Sequence, residues 1–304
     1  MDALSRQRRF AQLQAMLLVL PAMAAVGMFL YYPLVLNSVY SMFEMEFTTS
    51  IAAERFVGLQ QYLQAVTNPQ LLRVILFTLG FSLVVVILDL TLGMLLALAS
   101  FAVPPKTRWL LRSMIVIPWA IPPVIQAAMW RWLLNSDVGP VADLLVRSGL
   151  VAEAPLFLAR PWPAMVSLAT AFSWKGASIT AFFFMGGLAM IPQEYREAAR
   201  IDGAGPLHRF FRITLPLLLP VVFVALLYRG QDAVRVFDLV YGMTGGGPGT
   251  ATDTLSSFAY AAYFRYSRYG QASAYAVLTF LLVALPGVLL IRRAVDRFAF
   301  RRTA

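Results

Sequence analysis

Apolar runs long enough to cross a lipid bilayer recur along this chain, and they constrain its fold more than any other feature. Phe10 to Phe43 and Gly270 to Ile291 contain no charged residue at all. A helix needs about 20 apolar residues to cross the hydrocarbon core. Inside lipid the backbone must satisfy its own hydrogen bonds, so such runs become helices. Only 13% of the residues are charged, against roughly 25% in a soluble domain. The expectation is an all-α integral membrane protein with six transmembrane helices, near 13–36, 71–103, 113–134, 162–191, 216–241 and 270–291. They form a single domain, 11–304, after a short N-terminal segment, 1–10.

The first run follows Arg6, Arg8 and Arg9, the basic start that a cleavable signal peptide also has, with Ala22-Met23-Ala24 as its cleavage site. The run extends well past an ordinary signal core, so it reads as a helix that stays attached, with Tyr31 and Tyr32 at its outer interface. Orientation follows from the cations. Arg6, Arg8 and Arg9; Lys106, Arg108 and Arg112; Arg196, Arg200, Arg209 and Arg212; and Arg292, Arg293, Arg297, Arg301 and Arg302 all fall between or beyond spans on one side. The other side holds only Arg55, Arg147, Arg160, Arg265 and Arg268. Excess positive charge marks the cytoplasmic side, so both termini and the 192–215 loop are expected there. The net charge of +10 then speaks for anionic lipid headgroups as partners, not nucleic acid. No cysteine and one histidine, His208, leave no disulfide, no thiol chemistry and no plausible metal site.

The 192–220 stretch is the polar segment that most needs a purpose. Pro192 suits the first position of a helix, Glu194 and Glu197 suit its early turns, and Gly203, Gly205 and Pro206 stop it. Ala198 and Ala199 give it a face without bulk beside Ile201, and a basic element, His208 to Arg212, leads into Leu215-Pro216. A short helix with a small-residue face fits another protein's groove; it also fits a plain connecting loop.

Here a resemblance enters. Glu197-Ala198-Ala199, Asp202-Gly203-Ala204, Ile213, Leu215, Pro216 and Pro220 resemble the EAA loop of ABC-importer permease subunits at matching spacing. Phe56-Val57-Gly58-Leu59-Gln60-Gln61-Tyr62 resembles the FVGLxNY motif of carbohydrate-importer permeases, with Gln61 in place of Asn. Pro118, Pro122 and Trp130 look like that family's third core region. Val236 to Tyr241 with Thr244-Gly245-Gly246-Gly247-Pro248 resembles its carbohydrate members, closer to the MalF-like than the MalG-like kind. The resemblance implies a type I importer permease of the maltose type, in the inner membrane of a bacterium or archaeon. It would pair with a second homologous permease as a heterodimer. It would meet two copies of a cytoplasmic ATPase through Glu197, Ala198, Ala199, Asp202, Gly203 and Ala204, and receive solute from an extracytoplasmic binding protein. ATP and Mg would sit on the ATPase subunits, and no cofactor on this chain. The implied solute is a di- or oligosaccharide such as trehalose or maltose, with glycerol 3-phosphate or a polyol as the alternative.

Within the spans, Arg229, Asp232, Arg235 and Asp238 alternate in sign every three residues, so on one helix they would be neighbours. Four ionisable groups facing lipid are too costly, so they must face protein or water. They either neutralise one another, with Asp89 and Lys175 as further partners, or they wall a polar path interleaved with Tyr228, Phe237 and Tyr241. Lys175, beside Trp174, reads equally as a solute contact or as the ion-pair partner of Asp89. Gln126 and Trp130 complete the pathway candidates.

Two other classes stay open, a secondary transporter and a membrane-embedded enzyme, whereas a phosphate loop does not. Gly245-Gly246-Gly247-Pro248-Gly249 has no Lys-Ser/Thr pair after it, so it is a turn-rich loop and not a phosphate cradle. A secondary transporter would need an inverted repeat, and a membrane enzyme a nucleophile–base or metal constellation; neither is visible, and Asp89 alone is a poor proton relay.

Overall fold

The computed structural model describes residues 14, 16–48 and 51–299; the arginines at 6, 8, 9, 301 and 302, and the proposed N-terminal segment 1–10, lie outside them. The chain is mostly helical and divides into two compact units. Among the described residues, four helices are long and apolar enough to cross a membrane: Met16–Tyr40, Pro69–Ala102, Pro206–Val234 and Tyr269–Arg293. Two bent helix pairs raise this to six if each pair makes one span.

The first unit contains residues up to 67 together with 259–278. Its helix α1 (Met16–Tyr40) leaves its apolar side chains exposed, with Leu18 and Phe29 among them, as a lipid-facing helix does. One segment of this mostly helical chain is not helical. Phe43–Thr48 (β1) and Ile51–Phe56 (β2) form an antiparallel hairpin in register Phe43↔Phe56 and Glu44↔Arg55. The alternation of Phe43, Met45 and Phe47 with Glu44 and Glu46 has the strand period of two, and Phe43 packs edge-to-face on Phe56. The motif at 56–62 clasps the hairpin's base. The backbone amides of Val57 and Gly58 both donate to the Met42 carbonyl. The Gln61 amide donates to the Phe43 carbonyl at 2.6 Å, and the Tyr62 hydroxyl to Ser41. Gly58 allows the turn with a φ of +56°. Helix α2 (Gln60–Thr67) follows.

In the second unit, α3 (Pro69–Ala102) starts on Asn68, whose side chain accepts from the amides of Gln70 and Leu71, with Pro69 pre-set for the first turn. Pro104 and Pro105 end it and start α4 (Pro105–Ala120). The 113–134 segment, expected as one span, is not one helix. Pro118 lies inside α4, Pro122 and Pro123 hold Ile121 and Pro122 extended, and α5 (Pro123–Leu133) leaves at 96°. The 135–160 loop contains a short helix, α6 (Pro140–Arg147). Helix α7 (Pro161–Ala189) turns into α8 (Gln193–Ile201), the predicted loop helix.

The next helix, α9 (Pro206–Val234), starts ten residues before the expected span, running through a π-helical turn at Phe210–Thr214. It also stops earlier than expected, at Val234; Asp238–Met243 is a separate helix, α10. Helices α11 (Leu255–Phe264) and α12 (Tyr269–Ala299) complete the chain.

Helices α3, α7 and α9 pack through small residues, as membrane helices do. A Cβ on Gly93 would lie 2.7 Å from the Thr180 side chain, and one on Gly187 would lie 2.6 Å from Leu218. Two apolar layers result. One holds Phe81, Val85, Leu168, Phe172 and Val240; the other holds Met94, Ala181, Phe184, Leu188 and Leu218.

Candidate functional site

Between those two layers, α3, α7 and α9 bring together what the sequence separates. Asp89 is fully buried on α3, and Arg229 reaches it from α9. Arg229 Nε and Nη2 both lie 2.7 Å from Asp89 Oδ2, while Nη1 donates to Asp232 Oδ2 at 2.6 Å. The guanidinium also sits 4.8 Å from the Phe172 ring centre. Gly176 on α7 makes room for the pair, because a Cβ there would lie 2.3 Å from Asp89 Oδ2 and 2.4 Å from Arg229 Nη2. Two guanidinium nitrogens on one Asp89 oxygen and a second carboxylate on the third compensate the buried charge, while Asp89 Oδ1 has no hydrogen-bond partner among the described residues.

This corrects the reading of Lys175. Asp89 is paired with Arg229, and Lys175 instead donates to the Ile121 carbonyl, which the proline break removes from helical bonding. Lys175 thus braces the 96° bend. The four alternating charges are also not on one helix. Arg229 and Asp232 are on α9, Arg235 is its C-cap, and Asp238 opens α10. The chain breaks there because Val236, Leu239 and Val240 turn into the core and Thr254 Oγ1 donates to the Val236 carbonyl.

A cavity of about 490 Å³ opens beside this pair. Of the sequence candidates, Gln126, Lys175, Tyr228, Asp232, Arg235, Phe237 and Asp238 line it. Trp119, Phe172 and Gly176 line it too and were not singled out; the run of small residues from Gly176 to Ser178 was the available signal. Gln126 is less free than expected, since its amide donates to the Ala171 carbonyl at 2.6 Å. Trp130 and Trp174 do not reach the cavity: they pack edge-to-face on each other at 5.9 Å, and Trp130 faces a separate, mostly apolar pocket with Phe157 and Trp162. Arg235 comes only to 4.0 Å from Asp232 and remains largely exposed. The cavity wall therefore carries both signs of charge beside the rings of Tyr228 and Phe237.

The second candidate region is α8. Its end is a Schellman motif: the amide of Ala204 bonds the Ala199 carbonyl and that of Gly203 the Arg200 carbonyl, with Gly203 at a φ of +75°. This is why Asp202-Gly203-Ala204 follows the helix. Gln193 donates to Glu197 across one turn. Ala199 is buried and Ala198 exposed, so the two alanines do not share one free face. Met190, Tyr195, Ile201 and Leu207 present exposed apolar side chains around the loop. The glycine-rich loop is closed on itself: Thr252 Oγ1 donates to the Gly247 carbonyl, and a Cβ on Gly246 would lie 2.0 Å from the Asp253 carboxylate.

Residues 89–303 match the family described as "Binding-protein-dependent transport system inner membrane component". The chain is 37% identical over 88% of its length, and 88% of the relative's, to the trehalose/maltose transport system permease protein MalF of Thermococcus litoralis. It is 35% identical to the sulfoquinovosyl glycerol transport system permease protein SmoG of Agrobacterium fabrum, over 89% of this chain and 87% of that one. Its fold matches a chain in the crystal structure of a bacterial ABC transporter importing the acidic polysaccharide alginate, with a TM-score of 0.80, 23% identity, and 98% and 99% of the two chains covered. By the family match over most of its length and by these relatives, the chain belongs to the binding-protein-dependent transport system inner membrane components, the permease subunits of ABC importers.

Proposed function

We propose that this permease carries a carbohydrate through the cavity beside the Asp89–Arg229 pair, driven by a separate ATPase that docks on α8. The observation that carries the reading is the cavity's make-up. Asp232, Asp238, Arg235 and Lys175 offer hydrogen-bonding groups of both signs, and Tyr228 and Phe237 offer ring faces. Paired polar groups with aromatic faces suit a polyhydroxylated solute, and the mixed signs favour a neutral sugar over glycerol 3-phosphate. The named solutes of two relatives, trehalose or maltose and sulfoquinovosyl glycerol, support the carbohydrate class but not its neutrality, since the second carries an anionic sulfonate and a third relative is named for sn-glycerol 3-phosphate.

In this reading both termini and α8 face the cytoplasm. The subunit pairs with a second homologous permease and two ATPase copies that hold ATP and Mg, and a binding protein delivers solute from outside. This chain performs no chemistry of its own. Closure of the ATPases moves α8, whose exposed Tyr195, Ile201 and neighbouring apolar side chains suit a docking surface. The packed helices then switch between two arrangements as bodies. Uptake by the reconstituted complex tests it: trehalose and maltose are expected to be transported or to compete, and glycerol 3-phosphate is not. Transport of glycerol 3-phosphate with no sugar competition would overturn the carbohydrate reading.

A further inference from the structure

A second, larger groove of about 700 Å³ lies away from the polar cavity, between α3, α7 and the start of α9. Met94, Leu98, Phe101, Phe184, Leu188 and Phe210 form much of its wall. Its end is marked by Phe101, at the last turn of α3, and there the chemistry changes. Arg209 lines the groove. The guanidinium carbons of Arg112 and Arg108 lie 4.9 and 5.5 Å from the centre of the Phe101 ring. Arg108 also donates to the carbonyls of Phe101 and Val103, which the end of α3 leaves open. Among the described residues no carboxylate pairs with Arg108, Arg112 or Arg209, and each has its Nε buried without a partner. Trp109, exposed between the first two, is the residue type that sits at headgroup depth.

We propose that this groove binds an anionic phospholipid, an acyl chain lying along the apolar wall and the headgroup phosphate resting on the three arginines. A helix of another subunit would cover the wall yet leave three unpaired cations beside it. A phospholipid satisfies both ends, since unpaired cations at the membrane surface draw anionic headgroups and guanidinium binds phosphate in a fork. The site is separate from the solute cavity and does not rest on the carbohydrate reading.

The test uses the intact complex as isolated from membranes, delipidated and titrated with dioleoyl phosphatidylglycerol or dioleoyl phosphatidylcholine, with bound lipid counted by native mass spectrometry. Phosphatidylglycerol is expected to bind at least about tenfold tighter. Replacing Arg112 and Arg209 with glutamine is expected to remove that preference, and Leu98→Trp, which fills the groove, to weaken both lipids. Inorganic phosphate at millimolar concentration is expected not to displace the lipid, because it lacks the chain. Equal affinity of the wild type for the two lipids overturns the proposal whether or not the variants fold. So does a preference that survives the double replacement, or a photo-crosslinker at Leu95 that captures another subunit in place of lipid.

Discussion

Arg229 holds Asp89 through two nitrogens, both 2.7 Å from one carboxylate oxygen, across 140 residues of sequence and inside the membrane-spanning bundle. Both groups are buried, so each is the other's condition for being there. Arg229→Met is expected to cost about 3–5 kcal/mol by leaving buried Asp89 without a counter-charge, and Asp89→Asn less, because Asp232 still pairs with Arg229. Replacing both with apolar residues of similar volume is expected to recover most of that loss. Thermal unfolding of the purified subunit in detergent checks it, and additive losses in the double variant would show that the pair is not coupled.

The two glycines near the C-terminal end of α7 make a sharper contrast. A Cβ on Gly187 meets Leu218 at 2.6 Å and Val221 at 2.9 Å, while one on Gly186 meets nothing within 4 Å. Gly187→Ala is expected to destabilise by about 1–3 kcal/mol through overpacking, and Gly186→Ala to stay within about 0.5 kcal/mol. Equal melting temperatures for the two variants would count against this packing of α7 on α9.

Lys175 provides a test that separates bracing from solute contact. Lys175→Met leaves the Ile121 carbonyl without its donor, at a cost of about 1–3 kcal/mol. If bracing is its main task, solute affinity measured below the melting transition stays near the wild-type value. A tenfold loss of affinity at unchanged stability would make solute contact, not bracing, the main task of Lys175.

At α8 the backbone sets the expectation. Gly203 holds a φ of +75°, which asparagine tolerates and a β-branched residue does not. Gly203→Val is expected to abolish solute-stimulated ATPase activity of the reconstituted complex while the subunit is still made, and Gly203→Asn to retain it. Glu197→Lys, which breaks the bond to Gln193 and inverts an exposed charge in the middle of α8, is expected to act like Gly203→Val. Stimulated ATPase that survives in both would remove the docking role. For orientation, a cysteine at Ala204 is expected to resist an impermeant thiol reagent in intact cells and one at Thr250 to react.

Much of this was legible in advance, because apolar runs and prolines act locally. Pro69, Pro104, Pro105, Pro122 and Pro123 mark helix boundaries where they stand, and the glycine after α8 marks its end. The hairpin has its own signal too, in the alternation of Phe43 to Phe47. What the sequence hid was long-range. No glycine or proline signals the stop at Val234; burial of Val236 and Val240 and the Thr254 bond impose it. Hence a charge pattern that suits one helix is spread over a helix, its cap and the next helix. The partner of Asp89 was open for the same reason, since Arg229 and Lys175 differ only in which one the packing of α7, with Gly176 at the contact, brings to it.

Uptake kinetics in proteoliposomes decide whether the cavity lined by Asp232, Arg235 and Asp238 is the solute path. Asp238 lines the cavity and opens α10, and Arg235 is mostly exposed, so neutralising either is expected to cost little stability. Asp238→Asn and Arg235→Gln are each expected to raise the half-saturating solute concentration about tenfold, equal to about 1.4 kcal/mol of lost contact, with melting temperatures within a few degrees of wild type. Unchanged half-saturation in both variants at unchanged stability would contradict it.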